Sequence, residues 1–483
     1  MFIPLLVTGL FLCLFFFLLG RTLVLRRSVT KAAGPGFSRL SEDHPSVRRL
    51  SEAVAIPTVS YTDYDKIDVS VFSQWEAFME KSFPECHTHM EKTRLNQYAH
   101  IYRWPGKDPE KEPSLLLAHF DVVPAGEAGW KHPPFSGEIA DGCVWGRGTL
   151  DTKNSLMAIM ESAEGLISSG FTPEADIFFA FGGDEEVMGI HGASVMASYF
   201  AEKGTQFRMV LDEGAVIVEN TISMVKVPLA LIGTSEKGYA NVRLSVQGKS
   251  GHSSMPDAHT AVGILSRGIM KLESRPFPLR LIPTVKRFFR DLTPYVSFPM
   301  GIVTANLWLF GGLLTYILSK TAVTNSLVRT TQAATVISGS DKENVLPEKA
   351  EAVVNIRILP GETLDTVLNR MRKTIRDDRV TVELLNEIES NNPVPEADLY
   401  SLEYRMLGDT IQRVCGISAV VPYLVVGTTD SKHYARISKN IYHFVPMKLD
   451  QEGLDRIHGK NECISLENYG MHLAFFTDFM KQL

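Results

Sequence analysis

The sequence lacks most features that would assign it to a specialised class. Its 483 residues include only five cysteines, Cys13, Cys86, Cys143, Cys415 and Cys463. Their spacings outline no disulfide framework, so cysteine does not settle the compartment. No Asn-x-Ser/Thr sequon occurs, which weighs mildly against a secreted protein. There is no basic excess: 49 Lys and Arg stand against 55 Asp and Glu, a net charge of -6, so nothing points to nucleic acid. Low-complexity tracts are missing, as are repeats with a period of roughly 20 to 50 residues. What remains is ordinary globular composition, 45% hydrophobic and 22% charged, with enough apolar mass for a large core. The length suggests two or three domains.

Charge is missing in two places. Residues Phe2 to Leu19 are uncharged and rich in Leu and Phe, and Arg21, Arg26, Arg27 and Lys31 follow. The run is longer than a signal core of about 7–15 residues and long enough for a short membrane span. No positive charge precedes it and no small-x-small cleavage site follows it. Residues 1–20 are therefore expected to direct entry into the secretory pathway. A cleaved signal and a retained anchor both stay open, with the catalytic part secreted or lumenal. The basic flank by itself favours a cytoplasmic position for that flank. Residues 21–45 read as a linker. The second charge-free stretch, 292–319, is broken by Pro299, Asn306 and Gly311-Gly312. It reads as a second span, a pair of core helices, or a channel or membrane-facing patch for an acyl chain.

Between these runs the pattern is α/β. Ser114–Ala118, Ala175–Phe181 and Met209–Leu211 are short apolar strands, and Ser155–Ser168 has helical spacing. Strands without polar alternation, interleaved with helices, predict a mostly parallel sheet covered by helices. From Tyr239 the order becomes β-α-β-β-α-β, a ferredoxin-like α+β lid. The expected division is catalytic domain 46–238 and 389–483, interrupted by a lid at 239–388 that carries an apolar insertion at 276–330.

Polar residues collect where the strands end. His119 and Asp121 follow Ala118; Asp184, Glu185 and Glu186 follow Phe181; Asp212 follows Leu211; Asp151 follows the Gly146-Arg147-Gly148 turn. Ligands of open parallel sheets bind at the carboxyl ends of strands, so these groups are expected to share one crevice. Crowded carboxylates repel, and a metal ion removes that penalty. Imidazole with carboxylate suits Zn²⁺. Asp121 is close enough in sequence to orient the His119 ring. Each motif has a plainer reading alone: a structural histidine, a loop, or acids at a helix N-terminus. Their combination argues for a site.

His119-Phe120-Asp121, Gly146 to Asp151, Asp184-Glu185-Glu186, Leu211-Asp212-Glu213-Gly214 and His458-Gly459-Lys460-Asn461-Glu462 together resemble the co-catalytic zinc aminoacylase and carboxypeptidase family, over roughly residues 45–483. Pro133-Pro134-Phe135-Ser136-Gly137 and Ser235-Glu236-Lys237-Gly238 are most similar to its fatty-acyl-amino-acid branch, and carboxypeptidase S is a further relative. The resemblance implies two Zn²⁺ per chain, with Asp151 bridging, His119 and Asp212 completing one site, and Glu186 and His458 the other. It implies Glu185 as general base, Asp121 behind His119, and His252 of Gly251-His252-Ser253-Ser254 as oxyanion donor, supplied in dimeric relatives by a partner chain. Asn344, Arg357, Gly427 and Thr428 would receive the substrate carboxylate. The 427–430 loop departs from the commoner Gly-Gly or Gly-Asn beginning, and Lys432 stands where a small or neutral residue is frequent, which leaves substrate preference open. The implied partners are an N-acyl amino acid, fatty acid and amino acid, a membrane or lipoprotein surface, and a second copy in a homodimer. Three functions follow: reversible hydrolysis and condensation of N-acyl amino acids, peptide C-terminal trimming, or metal-free lipid or acyl-amino-acid binding.

Overall fold

The computed structural model describes residues 2–27, 34, 36–126 and 128–483. Lys31 and most of 28–35 lie outside the described residues. The Ser114–His119 strand is buried at every position because it pairs in parallel with Ile177–Gly182 on one side and Met209–Asp212 on the other. Ile441–His443 extends the sheet in parallel from Met209–Asp212. Antiparallel strands Glu91–Asn96 and Ala99–Trp104 close one edge. The sheet is thus mixed and mostly parallel in its centre, as the uninterrupted apolar runs predict. The Lys153–Ser168 helix is buried along most of its length and packs with the C-terminal helix Leu466–Met480, which ties the two sequence halves of the catalytic domain together.

The lid is a separate four-stranded antiparallel sheet in the order Thr331–Ser338, Lys349–Ile358, Gly238–Gln247, Val380–Leu384. That is the ferredoxin-like order. Alternate residues of Lys349–Ile358 are buried, and Ala261–Ser274 and Leu364–Ile375 pack with the sheet in a core of their own.

Two features were not visible in the sequence. The N-terminal helix runs from Phe2 to Arg27, so residues 21–27, read above as the start of a linker, are its last turns. Local hydropathy ends the run at Leu19, but Arg21 and Arg26 find backbone acceptors in residues 293–305, which lets the helix continue. The apolar insertion, although it interrupts the lid sequence, contributes Ile282, Val285, Phe288, Phe289 and Leu292 to the larger core. The Pro283–Asp291 helix lies on the Ala419–Val425 strand. The five cysteines are all free.

Candidate metal centre

Groups from two of the strand ends, His119 with Asp121 and Glu185 with Glu186, come together around Asp151. His119 is the last residue of its strand and is 1% exposed. Its Nε2 lies 3.0 Å from Asp151 Oδ1, while its Nδ1 lies 3.0 Å from the Asp121 carbonyl and 3.4 Å from Asp121 Oδ1. Asp121 is fully buried. It accepts from Ser60 Oγ at 2.6 Å and from the backbone N–H of Glu185 and Glu186 at 3.1 and 3.2 Å. One carboxylate therefore orients the His119 ring and aims the two glutamates. A carboxylate behind a ligating histidine fixes its tautomer and its direction.

Asp151 faces both histidines. Its Oδ2 is 2.9 Å from His458 Nε2, which also lies 3.1 Å from Glu186. Donor atoms of His119, Asp151 and Glu186 fall within 4.8 Å of one another, and so do those of His119, Glu185 and Glu213. The two groups share His119, and Asp151 links the second of them to His458.

Asp212 is not in this cluster. Its Oδ1 accepts from the Glu213 N–H at 2.9 Å and its Oδ2 from the Ser431 N–H at 2.9 Å. The residue turned towards His119 is Glu213, with Oε1 4.0 Å from His119 Nε2. Glu213 stands in the quoted Leu211-Asp212-Glu213-Gly214 motif, and that adjacency is the signal that could have found it. Asp184 also turns away, accepting from Tyr64 Oη and from the N–H groups of His191 and Gly192.

Electrostatics mark the crowding. Burial pushes the Glu185 carboxyl well above the usual range; His119 opposes the shift, and Asp430, Glu213 and Glu186 add to it. Burial likewise raises Glu213, with Asp151 adding to it. His458 is pushed up to about 10 by hydrogen bonds to Asp151 and Glu186, against its burial. Asp151 is lowered: burial opposes, but both histidines hold it ionised. Such a set of carboxylates and imidazoles, with no thiolate, is the donor chemistry of a hydrolytic zinc centre, and cations there would replace the imidazolium–carboxylate pairs.

The turn carrying Asp151 is held from the far end of the chain. Glu462, fully buried, accepts from the N–H of Gly148 and Leu150 at 3.0 and 2.8 Å and from Arg147 Nη1 at 2.5 Å. Arg147 Nη2 donates to the His458 carbonyl at 3.1 Å. Gly148, at φ +91°, has Val122 and Lys153 against the place of a Cβ, so a larger residue would push this turn off its anchor. Glu236 does the same for the 427–430 loop, accepting from Thr429 N–H, Thr429 Oγ1 and Ser431 Oγ.

The remaining predicted residues lie around the lid. His252 is exposed, its Nδ1 hydrogen-bonded with Ser254, in a short bridge to Val345–Leu346. Asn344 is exposed and its carbonyl accepts from the Ser253 N–H. Arg357 is half-buried at the root of the lid, stacked 4.6 Å over the Tyr239 ring. Gly427 is exposed and Thr428 half-buried. The structure brings none of these five into the carboxylate–imidazole cluster; Asn344 lies on the segment that pairs beside His252, and Arg357 sits near Glu236 and Lys237.

The family model described as Peptidase family M20/M25/M40 matches residues 115–482. The chain belongs to the M20 peptidase family. The N-fatty-acyl-amino acid synthase/hydrolase PM20D1 of Mus musculus is 36% identical over 436 residues, covering 89% of this chain and 86% of that protein. Probable carboxypeptidase S-like 2 of Dictyostelium discoideum is 35% identical over 450 residues, covering 92% and 86%. Among solved structures, the M20 family metallo-carboxypeptidase Sso-CP2 from Sulfolobus solfataricus matches with a TM-score of 0.64 at 17% identity, covering 90% of this chain and 98% of that one. This M20 chain is accordingly a hydrolase of the metallopeptidase and amidohydrolase kind, with the fold that such neighbours share.

Proposed function

We propose that this M20 hydrolase is a two-zinc amidohydrolase that hydrolyses N-acyl amino acids, fatty-acyl ones foremost, and condenses fatty acid with amino acid in reverse. The observation that carries the reading is Asp151, with one oxygen on His119 and the other on His458, and Glu185 at the rim, 3.9 Å from His119 Nε2. Zn²⁺ held by His119, Asp151 and Glu213 and by Asp151, Glu186 and His458 would polarise the scissile carbonyl and acidify water. Glu185 takes the proton of the attacking water and passes it to the leaving amine nitrogen, so the amide bond breaks with no net change in the side chain. Burial shifts its carboxyl pKa upward, the direction that favours taking a proton from water. His252 is the proposed oxyanion donor, brought in by lid closure or by a second copy, and Arg357, Asn344 and the Gly427-Thr428 turn receive the substrate carboxylate. His252→Ala is expected to lower kcat at unchanged metal content; unchanged kcat would remove that role.

Glu213 replaces Asp212 in this ligand set. Elemental analysis is expected to find less metal in Glu213→Ala. Asp212→Asn is expected to keep the metal but lose about 1–3 kcal/mol of stability, because one of its two backbone donors loses its acceptor. The opposite pattern would return the ligand role to Asp212.

The similarity to carboxypeptidase S-like proteins supports a second reading, trimming of peptide C-termini. Comparing kcat/KM for an oleoyl-amino acid and a Gly-x dipeptide separates the two. The first substrate is expected to win by at least tenfold, about 1.4 kcal/mol of transition-state binding. A preference for the dipeptide would favour the peptidase. Entry into the secretory pathway is supported by the N-terminal apolar helix; the Arg21 and Arg26 heads are occupied by backbone carbonyls, which weakens the case for a cytoplasmic basic flank.

A further inference from the structure

The N-terminal helix is long and apolar enough over Leu6–Arg27 to cross a membrane, and a signal sequence would pass the same test. What separates the two is how its second half is seated. Arg26 Nη1 donates to the carbonyls of Thr293 and Val296 at 3.2 and 2.8 Å. Arg21 Nη2 donates to the Ala305 carbonyl at 3.2 Å. Thr22 is fully buried, and Asn306, also fully buried, donates to the Leu18 carbonyl and to Thr22 Oγ1 at 3.3 and 3.4 Å. Gly301 makes room for this contact, since a Cβ there would lie 3.1 Å from Arg26 Nη1. Asn306 is also the corner between the Phe298–Ala305 and Leu307–Leu318 helices, which meet at 109°. The helix therefore supplies partners to the residue that sets the bend.

The outward faces agree with this seating. Phe11, Phe16 and Phe17 on the helix are exposed, and so are Trp308, Leu313 and Ile317 on the second arm of the bent pair, at 55–57% for the last three. Phe17 packs edge-on against Trp308, joining the two surfaces. Thr22 is buried and Arg26 half-buried against the protein, Arg21 and Arg27 are exposed near the end of the helix, and the large apolar side chains before them face out, the arrangement expected in lipid. Beside Trp308, Arg21, Lys286 and Arg290 line a cleft of about 490 Å³. Lys286 and Arg290 are exposed, and Glu396 and Asp398 line the same cleft, so its rim carries both signs of charge.

We infer that the N-terminal helix stays in the mature chain and forms, with the bent helix pair 298–318, one platform embedded in a lipid bilayer. The platform seats the catalytic domain against the membrane whichever amide the enzyme prefers, so the inference is independent of the substrate. A bilayer also accounts for both apolar surfaces at once, whereas a cleaved signal would leave Asn306 without the Leu18 and Thr22 contacts.

The test uses the full chain made in secretory-pathway cells and reconstituted in phosphatidylcholine and phosphatidylserine vesicles. The mass of the mature chain is expected to include the N-terminal helix; a chain beginning beyond residue 27 overturns the proposal. Brominated phospholipid is expected to quench tryptophan fluorescence, and Trp308→Phe, a change of one exposed ring, is expected to lose most of that quenching. Equal quenching of both proteins would put the bent pair outside the bilayer and also overturn it.

Discussion

Glu185→Gln is expected to lower kcat by about 10²–10⁴-fold, the range that a positioned general base contributes. The change is nearly isosteric, and the backbone N–H of residue 185 still donates to Asp121. The amide cannot accept the proton that hydrolysis must move twice. Metal content is expected to be unchanged, because His119, Asp151, Glu186, Glu213 and His458 are untouched. Elemental analysis alongside steady-state kinetics on an acyl amino acid checks both halves. Turnover within tenfold of the parent would assign the base elsewhere, and metal-free but folded parent protein would leave only a lipid- or acyl-amino-acid-binding role.

Glu462→Ala is expected to be the most destabilising single change near the site, by about 3–5 kcal/mol, since it breaks a buried ion pair from one side. Arg147, 3% exposed, would keep its charge without the carboxylate, and the N–H groups of Gly148 and Leu150 would lose their acceptor. The expected signature is a lower denaturant midpoint with little change in slope, together with weaker metal retention, because both the Asp151 turn and the His458 loop are released. Glu462→Gln rescues only part: its amide N–H₂ would face the Arg147 donors. An Ala variant with the parent midpoint would show that the clamp is redundant.

The parts of this architecture that were legible in the sequence share a cause. Runs such as Ser114–Ala118 are apolar because both faces are covered, so the polar residue that ends the run, His119, announces a crevice. The β-α-β-β-α-β order after Tyr239 announces the lid, whose Lys349–Ile358 strand buries alternate residues against its helices. What stayed hidden depends on partners far away in sequence. Whether Asp212 or Glu213 turns inward is decided by the Ser431 N–H, 219 residues on. The helix continues past Leu19 because of carbonyls more than 260 residues away. The packing of 282–292 on the catalytic core depends on the Ala419–Val425 strand, which no periodicity within the insertion encodes.

The Glu462–Arg147 clamp joins residues that flank the whole lid, and this sets an order of events during synthesis. A growing chain has His119, Asp151, Glu186 and Glu213 early, but the carboxylate that locks the Asp151 turn and the histidine that Asp151 links to the second group arrive only near the end. On the proposed two-zinc reading, metal capture would be coupled to completion of the polypeptide. A product truncated before residue 458 lacks the second histidine however well its first half folds, which on the same reading would withhold hydrolytic activity from unfinished chains.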